Sequence, residues 1–130
     1  MTTHTPFLKV SGSGNDFLAL VEPTRVPTLE EIRAWCRRGV SIGADGLFTL
    51  RRDGDGITME YWNSDGRPAN LCLNATRCAM EVVREIGWTQ GGPTTLRTAA
   101  GSFVGYPETG DQATVEVDRP ETPRAIELVV

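Results

Sequence analysis

The chain has 130 residues, enough for one hydrophobic core and too few for two, so one domain spanning 1–130 is expected. Hydrophobic residues make up 39%, and 14 glycines with 8 prolines describe a turn-rich globular chain rather than a disordered or collagenous one. The 17 acidic residues outnumber 13 basic ones, and Arg37-Arg38 and Arg51-Arg52 stand as short pairs that read as solvated helix and loop ends, so no nucleic-acid partner is expected. No run approaches the roughly 18 apolar residues of a membrane span. The start MTTHTPFLKVSGSG lacks a basic segment followed by a long apolar run, which makes the cytoplasm the expected location. Three cysteines, an odd number at spacings of 36 and 6, and the single His4 fit neither a disulfide framework nor a zinc site, and no metal is expected.

Residues 6–21 read as two short strands around a loop, Ser11 to Asp16. The Gly12-Ser13-Gly14 run there is not a dinucleotide fingerprint, because a strand pattern follows it instead of a helix. Thr28 followed by Glu31 is a capping box, and Leu29, Ile32, Trp35 and Cys36 recur at helical spacing before Gly39. Cys36 is thereby expected in the core as a small hydrophobe. After a loop at 41–46, Leu47–Leu50 is a strand, 51–56 a turn with two Asp-Gly steps, and Ile57–Trp62 an alternating strand. Asp53 and Asp55 lack the remaining spaced ligands of a calcium loop.

A second helix begins at Asn74. Ala75, Cys78, Ala79, Val82, Val83 and Ile86 form a wide apolar stripe, with Gly87 as the stop, and the sheet is expected to wrap this helix. Thr94–Ala99 and Ser102–Tyr106 flank a turn at Ala100-Gly101, Ala113–Val117 alternates, and 118–123 is a loop. The run Ala125–Val130 reads as a strand that stops without a turn or polar tail, which points to a longer polypeptide. The fold class is α+β.

The chemistry concentrates at Cys72, just before the second helix. Free amides and the dipole at a helix start favour a thiolate over a thiol, and the same amides, with Asn74 beside them, would cradle a carboxylate. A base set against the α-hydrogen of an amino acid whose carboxylate is so held can remove that proton, and epimerisation then needs a second acid on the opposite face. Position alone leaves a buried, inert Cys72 open as well. Cys78 lies on the apolar stripe and Cys36 on the first helix, so neither is expected to face Cys72 across a substrate.

Three segments resemble the diaminopimelate epimerase family in order: Phe7-x-Lys9-x-x-Gly12-x-Gly14-Asn15-Asp16-Phe17, then Ile42-Gly43-Ala44-Asp45-Gly46-Leu47, then Asn63-x-Asp65-Gly66 with Cys72-x-Asn74-x-x-Arg77-Cys78. The resemblance implies two similar domains, each a mostly antiparallel sheet wrapped around a central helix, of which this chain is the N-terminal one and the second is absent. It implies interconversion of LL- and meso-2,6-diaminopimelate by two cysteines, without pyridoxal phosphate or metal, in lysine and cell-wall synthesis. By the same implication Cys72 is the first base or acid, Asn15 and Asn63 hold the amino-acid groups, and Asn74 with the amide of Leu73 forms the carboxylate-binding turn. Asp45, Asp65 and Arg77 are expected to hold loops and the helix start.

The family's Cys-Gly-Asn-Gly turn is here Cys72-Leu73-Asn74-Ala75, and Leu73 demands room that glycine does not. A related racemase or isomerase acting on another amino acid, and a non-catalytic module binding an amino acid or a protein, are the alternatives. The second cysteine is expected from a C-terminal domain or separate chain, or from a second copy of this chain across a two-fold axis.

Overall fold

In the computed structural model, which describes residues 4–89, 92–107, 113–118, 122–125 and 127, Ser13 and Gly14 both take positive φ, 53° and 86°. That pair of angles makes the mirror-image turn whose twist matches two paired strands, and β1 (Leu8–Gly12) and β2 (Asn15–Val21) close on it as a tight hairpin. The loop expected over Ser11–Asp16 is therefore only two residues long, because Ser11 pairs with Asp16 and Gly12 with Asn15. Along β2, Phe17 and Ala19 enter one apolar cluster while Leu18 and Leu20 enter another. Both faces of the strand are covered, which explains its unbroken apolar run.

The capping box is present at α1 (Leu29–Cys36): the Glu31 amide donates to Thr28 Oγ1 at 3.1 Å and the Thr28 amide to Glu31 Oε1 at 3.0 Å. Ile32 and Cys36 are buried and Trp35 is partly so. Leu29, expected on the buried stripe, is exposed in the first turn, and the helix ends at Cys36, ahead of Gly39. Arg25 forms a two-pronged ion pair with Glu31, 2.6 and 2.7 Å. That pair first, and the Thr28 amide second, hold the Glu31 carboxyl down at about 2 against the usual 4.5. A depressed folded-state value stabilises the fold above the unfolded value and is lost as pH falls, here between about 4.5 and 2. Comparing denaturant midpoints of the chain and Glu31→Gln should accordingly give a gap of about 1 kcal/mol at pH 7, kept small by the exposure of Arg25, that closes by pH 2.

Helix α1 carries the chain from β2 to β3 (Gly46–Asp53), which lies parallel to β2. A tight turn with Gly54 at φ 62° leads into β4 (Gly56–Asn63), antiparallel to β3 over its whole length, so the expected six-residue turn is also shorter than its composition suggested. Strand β5 (Pro68–Ala69) pairs with the end of β4, and α2 (Leu73–Glu85) then returns the chain to β6 (Thr94–Thr98), parallel to the start of β4. Strands β7 (Gly101–Pro107) and β8 (Ala113–Val115) complete the sheet by antiparallel pairing. The order is β1-β2-β3-β4-β6-β7-β8, with β5 beside β4. Among the described residues only the two helical crossovers make parallel joints, and the sheet is otherwise antiparallel.

The two helices cover opposite faces. Ala75, Cys78, Ala79, Val82 and Val83 of α2 are buried as their spacing predicts, joined by Thr76 and Met80, and meet Phe17, Phe48, Leu50, Ile57, Met59 and Leu96 from the strands. The sheet curls around this helix, whose contacts run to β1 and β2 on one side and to β7 and β8 on the other. Helix α1 covers Leu18, Leu20, Leu47 and Trp62 on the other face. Strand β8 stops at Val115, with Val117 exposed. Of the strand expected at Ala125–Val130, Ala125 and Glu127 belong to no strand, and Ile126 and 128–130 lie outside the described residues, as do 119–121 of the expected loop. No helix among the described residues is long and apolar enough to cross a membrane.

Candidate active site

Cys72 is the N-cap of α2, with extended backbone, φ −136° and ψ 109°, and its side chain makes no capping bond. Its carbonyl instead accepts from the Thr76 amide and the Thr76 hydroxyl, both at 2.9 Å. The amides of Leu73, Asn74 and Ala75 are thereby the first three of the helix, which have no partner within it. Cys72 is partly exposed, whereas Cys36 and Cys78 are buried. Burial pushes the Cys36 thiol up and the Cys78 thiol to about 11, which keeps both protonated and inert.

Asn15 starts β2, Asp45 immediately precedes β3, and Asn74 lies in the first turn of α2, so pairing of β2 with β3 and docking of α2 bring the three together. Asn74 Nδ2 donates to Asn15 Oδ1 at 2.7 Å, and Asn15 Nδ2 donates to Asp45 Oδ2 at 3.1 Å. Asp45 Oδ2 also accepts the Asp16 amide at 3.0 Å, and the Asp45 amide donates back to the Asp16 carbonyl at 2.9 Å. Arg38, read from sequence as a solvated end, is exposed, and it also reaches Asp16 with both guanidinium arms, 3.0 and 2.5 Å, and Asp45 at 3.2 Å. With Lys9 3.0 Å away, Arg38 holds the Asp16 carboxyl well below the usual carboxylate range. Arg52, from the other pair, lies over the Trp88 ring at 5.0 Å.

The remaining predicted residues are placed less closely. Asn63, at the exposed end of β4, is tied by its backbone: its amide donates to the Arg67 carbonyl and its carbonyl accepts the Gly66 amide, both at 2.9 Å. Asp65 Oδ1 accepts the Arg67 amide at 2.9 Å within that turn, a loop-holding role as expected. Arg77 Nη1 donates to Ser13 Oγ at 2.7 Å and Nε to the Ala113 carbonyl at 3.3 Å, fastening α2 to the first hairpin and to β8. Leu73 stands 45% exposed at the first position of α2, so its branched side chain does not intrude into the core.

Cys72 also borders a cavity of about 310 Å³, which Asn15, Asn63, Leu73 and Asn74 do not line. Ile57 and Thr58 of β4 pair with β6 while Tyr61 and Trp62 pair with β5, and the cavity opens beside Met59 and Glu60 between those two ladders. Sequence reasoning missed Tyr61, which lines the same cavity as Cys72. The available signal was its phase with Ile57 and Met59, which puts a polar-tipped ring on the face that carries α2. Nothing in the local sequence marked Arg38.

Solved structures share this fold at low identity. A hydroxyproline epimerase from Agrobacterium vitis, solved with trans-4-hydroxy-L-proline, aligns at TM-score 0.60 and 14% identity, covering 84% of this chain and 40% of that one. A phenazine biosynthesis protein of the PhzF family from Bacillus anthracis aligns at TM-score 0.58 and 18% identity, covering 85% and 38%. The fold of this chain is thus the one these two proteins share over most of its length.

The family model described as diaminopimelate epimerase matches residues 7–122, and the chain belongs to that family. Diaminopimelate epimerases from Gemmatimonas aurantiaca and a Synechococcus strain are 36% and 35% identical to it, over 92% and 91% of this chain. The matches cover 46% and 43% of those proteins, so the chain spans less than half the length of the curated relatives it matches.

Proposed function

We propose that the chain supplies one half of a cofactor-independent amino-acid epimerase site, with LL-2,6-diaminopimelate as substrate and Cys72 as one of two proton-exchanging groups. The observation that carries this reading is the partly exposed thiol at the start of α2, beside the open amides of Leu73 and Asn74. The substrate carboxylate would sit on those amides. The Cys72 thiolate takes the α-hydrogen and becomes a thiol, the negative charge moves into the carboxylate against the amide dipoles, and a second acid returns a proton to the opposite face. Cys78, buried on α2, does not meet that need, so the second acid comes from outside this copy of residues 1–130, either from a C-terminal domain or separate chain or from a second copy. Asn15 and Asn74 each keep donor and acceptor capacity beyond the bonds that join them, and with Asn63 they would hold the amino-acid groups.

A related racemase with another amino-acid substrate is the second reading, favoured by the solvent-facing Leu73, which would crowd a long substrate lying over the helix start. Deuterium incorporation at the α-carbon of LL-2,6-diaminopimelate in D2O, by the chain and by Cys72→Ser, tests the first reading. Exchange that disappears in Cys72→Ser supports it, and exchange that survives overturns it. A folded chain that exchanges nothing, and whose Cys72 alkylates no faster than free cysteine, overturns it equally.

A further inference from the structure

Arg38 stands at one end of a chain of hydrogen bonds that finishes at the start of α2. Its stem packs against Gly43, which has φ 78° and where a Cβ would stand 2.9 Å from Arg38 Cγ. From that seat Nη2 donates to Asp16 Oδ1 at 2.5 Å and to Asp45 Oδ1 at 3.2 Å, while Nη1 donates to Asp16 Oδ2 at 3.0 Å. The two carboxylates are drawn together because each accepts the backbone amide of the other residue: the Asp16 amide donates to Asp45 Oδ2 at 3.0 Å and the Asp45 amide to Asp16 Oδ1 at 3.2 Å. Lys9 pairs with Asp16, whereas the ion pair of Asp45 is with Arg38. Asp45 Oδ2 then accepts from Asn15 Nδ2, and Asn15 Oδ1 from Asn74 Nδ2 in the first turn of α2.

We propose that Arg38 is a positioning residue for the helix-start end of the site: its fork across Asp16 and Asp45 keeps Asp45 turned toward Asn15, which decides the end of the Asn15 amide that faces Asn74. This rests on the reading of the α2 start as the place where substrate is held. Without the guanidinium, two neighbouring carboxylates repel each other, and the partly exposed Asp45 is free to turn to water. Asn15 then loses the acceptor that fixes its orientation, and Asn74 loses the oxygen it donates to. The Arg38 side chain is 58% exposed, so its ion pairs add little to stability, and its replacement should disturb the geometry without unfolding the chain. Lysine keeps the charge but is a point donor that cannot span two carboxylates, so Arg38→Lys separates a role in geometry from a role in charge.

The test is nitrogen-15 NMR of the Asn15 and Asn74 side-chain amides in the 130-residue chain, with the indole N–H signals of Trp35, Trp62 and Trp88 as internal reporters of folding. In Arg38→Lys both side-chain amides should shift, and the Asn15 amide protons should exchange with water about tenfold faster, while the indole signals keep their folded pattern. Asn15 and Asn74 signals like those of the parent chain overturn the proposal, because charge alone would then suffice. If the indole signals of Arg38→Lys report unfolding, the parent chain decides by itself. A guanidinium held at both arms gives separate Nη1 and Nη2 resonances there, and a single averaged resonance overturns the proposal. Titration with LL-2,6-diaminopimelate, followed at the backbone amides of Leu73 and Asn74, is a separate readout. Binding should be about fivefold weaker in Arg38→Lys, and equal affinity in the two chains overturns the positioning role. A parent chain whose Leu73 and Asn74 amides do not respond would leave the Arg38–Asn15–Asn74 coupling standing and bring down the substrate reading alone.

Discussion

Gly46→Ala is expected to cost about 3 kcal/mol of stability, near the upper end for added bulk in a packed interior. Gly46 has no left-handed backbone to protect, so the whole penalty is steric. It opens β3, paired with Phe17 on one side and Asn63 on the other. A Cβ there would stand 2.5 Å from the Tyr61 hydroxyl, 2.8 Å from its ring and 2.7 Å from the Trp62 carbonyl. The ring can swing away only by giving up Phe17, and the carbonyl cannot leave without opening the β3–β4 ladder. The two contributions separate in a double-mutant cycle with Tyr61→Phe, measured by urea denaturation. Removing the hydroxyl relieves the first contact and not the second, so Gly46→Ala should cost less in the Tyr61→Phe background by about 1 kcal/mol. Equal costs in the two backgrounds would mean that the ring is not confined as described.

The parts legible in the sequence were those governed by short-range periodicity. The stripe from Ala75 to Val83 repeats every three or four residues and has one way to be buried, and Thr28 with Glu31 can satisfy each other's backbone only at a helix start. The position of Cys72 at the start of α2 was legible for the same reason, by its place ahead of that stripe. Which strands become neighbours is not a local property. The parallel joints β2–β3 and β4–β6 follow from where α1 and α2 return the chain, and no residue within those strands signals them. Polar residues misled in the opposite direction. Asn15 and Asp16 read as loop, yet they pair in the hairpin because Asp45, Arg38 and Lys9 supply partners from distant segments. Leu29 failed as a core prediction because the first turn of α1 faces solvent there.

The same dependence on distant partners makes Asn15→Asp the sharper test of the site. Asn15 Nδ2 donates to Asp45 Oδ2 at 3.1 Å while its Oδ1 accepts from Asn74 at 2.7 Å, so the side chain must be a donor at one end and an acceptor at the other. A carboxylate can still accept from Asn74, but it turns the contact with Asp45 into two negative charges at hydrogen-bond distance. At pH 7 the loss should be about 2 kcal/mol, from the missing donor and the repulsion between partly buried like charges. The sign of the pH dependence follows from the charge. Repulsion raises the introduced carboxyl's folded value above its unfolded one, so the folded state binds the extra proton and the variant regains stability relative to the parent chain as pH falls through that raised value. Parallel urea denaturations at pH 7 and pH 5 measure that recovery. Asn15→Ala removes the donor without adding charge, so its deficit should stay constant between the same two pH values. If both variants lose stability equally and neither recovers, the Asn15–Asp45 contact does not join β2 to the start of β3, and the arrangement that presents Asn74 beside Cys72 needs another cause.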